Sequence, residues 1–472
     1  MNTKFVASSF ALALVLSACG DDNHGVNNPS ASPAVTGLVV TANDNNALSA
    51  IATLDARSAD SARVVYWTGS DPKQSTPFST SVGDAQEGAA GRLVVLGLLP
   101  STEYNFFVEA AGKGATVTSD TVSFTTGALP AFLQSVSLTS QTPASFGYIF
   151  TSLWDGGTAY VTAFDSVGRV AWYRAFPGGQ PALEIKQQAN GDFTTVLTTS
   201  HGGEPVPGQA VEVSPDGALV RTFTAPANSY LDGHEFLLLF DNGAYDGALM
   251  LAYTVRHLDL SAQGGEADTL VTGHQLVRQD ANGDQHVVFD AWEHFQLTDN
   301  VEPTPGQLDF DHPNAISIAP DGNYVVSWRD LDIITKIDAA TGALIWTLAS
   351  PFAARASDFT IAGDALTGFS AQHSVRVLEN GNLLVFDNGT KHAPSESRAV
   401  EYHLDESART ATAVFDFRHA PPLYTPFTGS VQRFANGNTL VGYPYGTPTL
   451  VATEVTPDGA VTYEGTLVAG GS

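Results

Sequence analysis

The sequence predicts an all-β protein, a six-bladed β-propeller preceded by a small β-sandwich domain. Two observations predict it. The chain carries 44 Gly and 25 Pro with many Val, Thr and Phe, a composition of strands and turns, and shows no long amphipathic helix after its first twenty residues. From Trp154 onward a two-hairpin unit recurs. Its first turns fall at Gly156, Gly191, Gly247, Gly322, Gly381 and Gly437, and its second at Gly168, Gly217, Gly283, Gly342, near Glu406 and at Gly459. In Glu379-Asn380-Gly381-Asn382 the glycine supplies the positive φ that a type I′ turn needs. A unit of about four strands cannot bury a core alone, so the copies must stack, and radial stacking gives a propeller. At 472 residues the chain has room for two or three domains.

The N-terminus reads as an export signal. Lys4 precedes the apolar run Phe10 to Leu16, too short for a bilayer span and right for a signal peptide. Leu16-Ser17-Ala18-Cys19 resembles a bacterial lipobox, which implies cleavage before Cys19 and a lipid anchor on it in the cell envelope. Gly20 after the cysteine resembles outer-membrane sorting. Residues 1–19 are then the signal and residues 20–33 a polar tether. Cys19 is the only cysteine, so no disulfide forms within the chain. A formal net charge of -28 argues against a nucleic acid partner.

Residues 34–127 alternate as the strands of a sandwich. Leu99-Pro100-Ser101-Thr102-Glu103-Tyr104, followed by Val122 to Gly127, resembles a fibronectin type III module, with Tyr104 making the corner contact and Trp67 in the core. Residues 128–472 are the propeller.

Equivalent positions of successive blades lie at equal radius, and the inner strands converge on one axis. Three consecutive units begin with a histidine: His234 in Gly233-His234-Glu235, His312 in Asp311-His312-Pro313-Asn314, and His373 in Gln372-His373-Ser374. Three histidines in phase point to a site. Arg329 ends the second strand of the His312 hairpin, with a salt bridge to Asp330 or Asp332 as its structural alternative. Asn314 shares a strand face with His312, and Asn388 holds the return position in the next blade. Insertions at residues 296–309 and 350–367 wall the same face, and Trp292, Phe310, Trp328, Phe369, Tyr443 and Tyr445 are available to line it, most of them as core. Neutral imidazoles with an arginine suit an anionic tetrahedral group: the cation donates charge-assisted hydrogen bonds to its oxygens and one imidazole attacks its central atom. Two alternatives remain open: a metal-dependent lyase or hydrolase with a three-histidine zinc site, and a non-catalytic surface-binding propeller.

These residues also resemble a family. The segments around His234, Asp309 to Asn314 with Ser327 to Arg329, Gln372 to Gly389, Ser397 to Tyr402 and Val431 to Leu440 are similar to bacterial arylsulfate sulfotransferases over most of residues 150–470. The resemblance implies transfer of a sulfuryl group from a phenolic sulfate ester to a phenol, with no nucleotide cofactor and no metal. It implies a transiently sulfurylated His373, with His234, His312 and Arg329 binding the sulfuryl group. One of the two binding histidines would also manage the phenol proton.

Overall fold

The computed structural model describes residues 32–79, 91–198, 205–263, 265–301, 307–443 and 450–469. The signal, lipobox and Cys19, and Tyr445, lie outside the described residues. From residue 136 the chain forms six mainly antiparallel sheets, laid down in sequence order except that Val136–Thr139 joins the last of them; Gln307–Asp309 and Thr360–Ala362 add in parallel to the third and fifth. Strands Ala182–Gln187, Tyr230–Asp241, Pro313–Ile318, His373–Val377 and Ser430–Arg433 open the second to sixth of them. Each neighbouring pair of sheets shares one apolar cluster, and the last closes the ring: Ala452 and Tyr463 of the sixth pack with Ile149, Tyr160, Phe164 and Tyr173 of the first. The fold is the six-bladed β-propeller that the repeats predict.

The strand period of two explains how one sheet serves two neighbours. In the fourth sheet Ile316, Val326 and Ile333 face the third sheet, while Ala315, Val325 and Ile334 face the fifth. Both faces are covered, so these strands read as continuous apolar runs rather than alternating ones.

Three details differ from the sequence reading. The first sheet has three strands, Tyr148–Trp154, Thr158–Asp165 and Val170–Pro177, so Gly156 joins its first two strands without a complete unit around it. The first turn of the third sheet is at Asn242-Gly243, where φ is 47° and 82°, as a type I′ turn requires. Gly247 lies inside the following strand, where a Cβ would meet the carbonyl oxygen of Gln279 at 2.0 Å. In the turn at Gly381 only that glycine has positive φ among residues 379–382, and its N–H donates to Leu378 O at 2.8 Å. The hairpin is therefore a type I turn followed by a left-handed glycine, not type I′. Among the described residues helix is scarce: the one α-helix is Ala291–His294, and none is long and apolar enough to cross a membrane.

Before the propeller, two sheets pack face to face. One is built on Ala34–Ala42, Ser49–Arg57 and Gly91–Leu96, the other on Ser61–Trp67 and Glu103–Gly112, and they bury Leu54, Val64, Val95, Phe106 and Val108 between them. The Tyr104 hydroxyl accepts a hydrogen bond from Leu99 N at 3.0 Å. Trp67 is not in this core. Ala62, Val64 and Tyr66 take the inward face of their strand, so Trp67 turns outward, where Lys73 lies 4.5 Å over its ring.

The sandwich does not hang free. Leu48, from one of its loops, is fully buried in the cluster shared by the sixth and first sheets. Around it, Asn43 Nδ2 donates to Asp216 O at 2.7 Å, Arg92 pairs with Asp216 at 2.6 Å, and Arg174 donates to Asn45 Oδ1 at 2.8 Å. The Asp216-Gly217 turn joins the third and fourth strands of the second sheet, the place that Gly342 holds in the fourth. A four-stranded antiparallel blade puts that turn at the end opposite the start of its inner strand. The sandwich thus docks on the face away from His312 and His373.

Candidate active site

The three histidines meet at the mouth of the ring. His234 and His312 stand 4.8 Å apart between ring centroids, and His373 lies 6.5 Å from the first and 6.4 Å from the second. One nitrogen from each falls within 4.8 Å of the other two. Each reaches the mouth differently. His373 begins its strand, His234 lies where the register of Tyr230–Asp241 slips between Leu231 and Phe236, and His312 precedes its strand in the left-handed region at φ 43°. Ala371 and Ser374, flanking His373, have φ of 50° and 54°. Such backbone costs on the order of 1–3 kcal/mol per residue and persists where surrounding bonds fix it. At His312 those bonds are Asp311 Oδ1, accepting from His312 N at 2.9 Å, and the His312 carbonyl, accepting from Arg329 N at 2.9 Å.

Hydrogen bonds determine the tautomer of His373. Asn388 Nδ2 donates to the carbonyls of Thr425 and Thr428 at 2.8 and 2.9 Å, which turns its Oδ1 toward His373 Nδ1 at 2.7 Å. Thr428 N–H donates to His373 Nε2 at 3.2 Å. A backbone N–H only donates, so Nε2 holds the lone pair and Nδ1 the proton. Burial, with His312, His234 and Arg329 nearby, holds His373 well below the usual histidine range. His312 is lowered to about 3, by burial first, with His234 and Arg329 adding to it against the pull of Asp330. Both rings are therefore neutral at physiological pH.

Arg329 comes to the same place. Its Nη1 pairs with Asp330, the ion pair anticipated as a structural alternative, and its Nη2 donates to Pro426 O at 3.4 Å. Asp330 is itself pushed up to about 6 by burial, against His312 and Arg329. Asn314 is buried, and its Nδ2 donates to Gln372 O at 2.7 Å, tying the fourth inner strand to the run before His373. Phe310, Trp328, Phe369 and Tyr443 are core. Trp292 is partly buried, under Arg256 at 4.1 Å.

Carboxylates form a further layer that the repeat pattern does not announce. Asp232 Oδ1 meets His234 Nδ1 at 2.8 Å, and Asp309 Oδ2 meets His312 Nδ1 at 2.6 Å. Behind them His274 is fully buried, its Nδ1 2.5 Å from Asp311 and its Nε2 3.5 Å from Asp232. Asp232-Gly-His and Asp309-Phe-Asp-His are readable as short carboxylate–histidine spacings. The His274–Asp311 contact joins residues 37 positions apart and leaves no local signal. On the propeller axis the Glu235 carboxylate takes Lys186, Arg376 Nη1 at 2.7 Å and Ile316 N at 3.2 Å, which clamps the strand of His234 to the next two inner strands.

Three imidazole nitrogens this close are also a zinc-like geometry. The guanidinium of Arg329, which helps hold both His312 and His373 unprotonated, opposes a cation there and favours an anion.

One family model, described as Arylsulfotransferase (ASST), matches residues 134–459. No curated protein matches the chain. Among solved structures, a protein of unknown function from Bacteroides caccae is 13% identical, with 70% of this chain and 93% of that chain covered and a TM-score of 0.42. A streptogramin B lyase is 11% identical, with 71% and 89% covered at 0.33. Virginiamycin B lyase from Staphylococcus aureus is 9% identical, with 71% and 99% covered at 0.32. The family match runs through all six sheets and includes His234, His312, Arg329 and His373. The chain belongs to the arylsulfotransferase family, whose members are sulfotransferases acting on aryl sulfates and phenols.

Proposed function

We propose that this sulfotransferase works by a ping-pong mechanism through a sulfohistidine at His373. The observation that carries the reading is the fixed tautomer: Asn388 holds the Nδ1 proton, so the Nε2 lone pair is the one directed at the mouth. In the first transfer Nε2 attacks sulfur, the N–S bond forms, the bond from sulfur to the aryl oxygen breaks, and the leaving phenolate takes a proton from a neighbouring imidazolium. The acceptor phenol then reverses each step, its oxygen replacing Nε2 on sulfur and its proton returning to the neighbour. Thr428 N–H caps the lone pair at rest and is free to turn to a sulfuryl oxygen once the N–S bond exists. Arg329 supplies the positive charge that stabilises the transferred group.

A chromogenic aryl sulfate with added phenol tests the reading. Parallel double-reciprocal lines are expected, and intersecting lines reject a covalent intermediate. Arg329→Lys is expected to keep the covalent species while forming it about 10²-fold more slowly, the loss typical of one preorganised donor, because a point charge cannot span two oxygens as a planar fork does. Pre-steady-state quench reads that rate. Elemental analysis separates the alternative: stoichiometric zinc required for activity favours the metal-dependent reading. We further propose the fibronectin type III-like character of the sandwich and a lipid anchor at Cys19 in the bacterial envelope. Labelling with a radioactive fatty acid tests the anchor.

A further inference from the structure

We infer that His234, rather than His312, exchanges the phenol proton, and that buried His274 and Asp311 position it through Asp232; the inference rests on the sulfuryl-transfer reading above. Asp311, His274, Asp232 and His234 form an alternating chain of carboxylate and imidazole leading from the interior to the mouth, with contacts of 2.5, 3.5 and 2.8 Å. Both ring nitrogens of His274 face carboxylates, and an imidazole donates on both sides only as an imidazolium. Although burial pulls the other way, Asp311 and Asp232 hold His274 well above the usual range.

A charge kept out of water is poor value for stability, since well-packed apolar side chains of similar volume commonly do as well. Here the charge has a second use. His274 holds Asp232 ionised, and Asp232 fixes the His234 Nδ1 proton, so Nε2 of His234 faces the reacting oxygen and Asp232 compensates the imidazolium when that nitrogen takes a proton. His312 also has a carboxylate partner, Asp309 at 2.6 Å with His274 3.8 Å behind it, but its surroundings oppose its charge. Arg329 stands against its protonation, Asp330 is engaged by Arg329, and the carboxyl of its partner Asp309 is itself pushed up by burial.

Among the described residues, the charged and titratable groups around His234 are Asp232 on its own strand with His274 behind it, Asp309 and His312 from the approach to the fourth sheet with Arg329 beside His312, and His373 from the fifth. Beneath it Lys186 and Arg376 both pair with Glu235, and Lys186 also with Glu184 at 2.7 Å, so the two cations meet two carboxylates. Removing the His274 charge leaves Asp232 uncompensated and strengthens its hold on a protonated His234. The alkaline limb of kcat/KM for the donor then moves to higher pH.

Two donors test this with the full chain. Phenyl sulfate releases a basic phenolate that needs a proton, whereas 4-nitrophenyl sulfate releases one that leaves unaided. His234→Asn is expected to lose about 10²-fold or more on phenyl sulfate, the usual worth of general acid catalysis, and far less on 4-nitrophenyl sulfate. His312→Asn is expected to lose equally on both. His274→Gln should show the leaving-group dependence of His234→Asn together with the displaced alkaline limb. If it fails to fold, Asp311→Asn, which keeps the volume and a hydrogen bond, is read in its place with the same expectation. Leaving-group dependence in His312→Asn instead of His234→Asn overturns the assignment. Equal losses on both donors with an unmoved limb in the His274 or Asp311 variant reduce that pair to a structural role. A wild type that turns over neither donor overturns the sulfuryl-transfer reading and this inference with it.

Discussion

His373→Asn is expected to abolish turnover, by about 10⁴-fold or more, the scale seen when a covalent nucleophile is removed from an intact site. The asparagine side chain fills much of the imidazole volume and leaves an amide beside Asn388 and Ala371 O, the partners of Nδ1 in the wild type, so the fold should survive. What it lacks is a nucleophilic nitrogen where Nε2 stands. Intact mass after brief exposure to an aryl sulfate without acceptor reads the difference: the wild type should gain one sulfuryl group and the variant none. An active wild type that never shows the adduct would leave His373 with a binding role only.

The second large effect is on stability. Arg398 is fully buried and joins three carboxylates and a carbonyl: Asp364 through Nη1 and Nη2 at 2.8 and 2.9 Å, Asp387 through Nε at 2.9 Å, Asp416 at 3.0 Å, and the Gly368 carbonyl at 2.7 Å. Asp387 also accepts from Ser370 N, Gly389 N and His392, so the guanidinium anchors both the run leading to His373 and the insertion at residues 350–367. Arg398→Met fills similar volume and strands the carboxylates, which costs about 3–5 kcal/mol when one partner of a buried pair is lost. Chemical denaturation measures it, and a loss below about 1 kcal/mol would contradict the anchoring role. Burial works against the Asp364 carboxylate, but hydrogen bonds from Arg398 and Tyr402 bring it down to about 2. A depressed carboxyl stabilises the fold above its unfolded range near pH 4 and loses that contribution as pH falls through about 2. Asp364→Asn should flatten the stability curve across that window.

The propeller was legible because its signal repeats. Turns at Gly322, Gly381 and Gly437 recur with apolar runs between them, and a repeat fixes radius and phase together, so His234, His312 and His373 align in the sequence itself. Gly156 and Gly247 misled because a glycine of positive φ marks a tight backbone rather than a particular turn: one joins strands of an incomplete sheet, the other makes room for the carbonyl of Gln279. Trp67 misled because aromatic bulk says less about burial than strand parity does, and Tyr66 already holds the inward side. The carboxylate layer was out of reach for another reason. Asp232 and Asp309 lie near their histidines in sequence, but His274 comes from the third strand of its sheet and meets Asp311 only because Gln307–Asp309 pairs in parallel beside that strand, a long-range register with no local signal.

The sandwich docks by the end that carries Asn43, Asn45 and Leu48, and its first strand, Ala34–Ala42, runs toward that end. At about 3.3 Å per residue the strand starts some 25 Å farther out, on the side of the propeller opposite the histidines. The domain is therefore a pedestal with its foot at the N-terminus. With its outer end at Ala34 and its docking loop on the far face of the ring, the sandwich leaves the histidine face uncovered, so a substrate reaches the three rings without passing the domain.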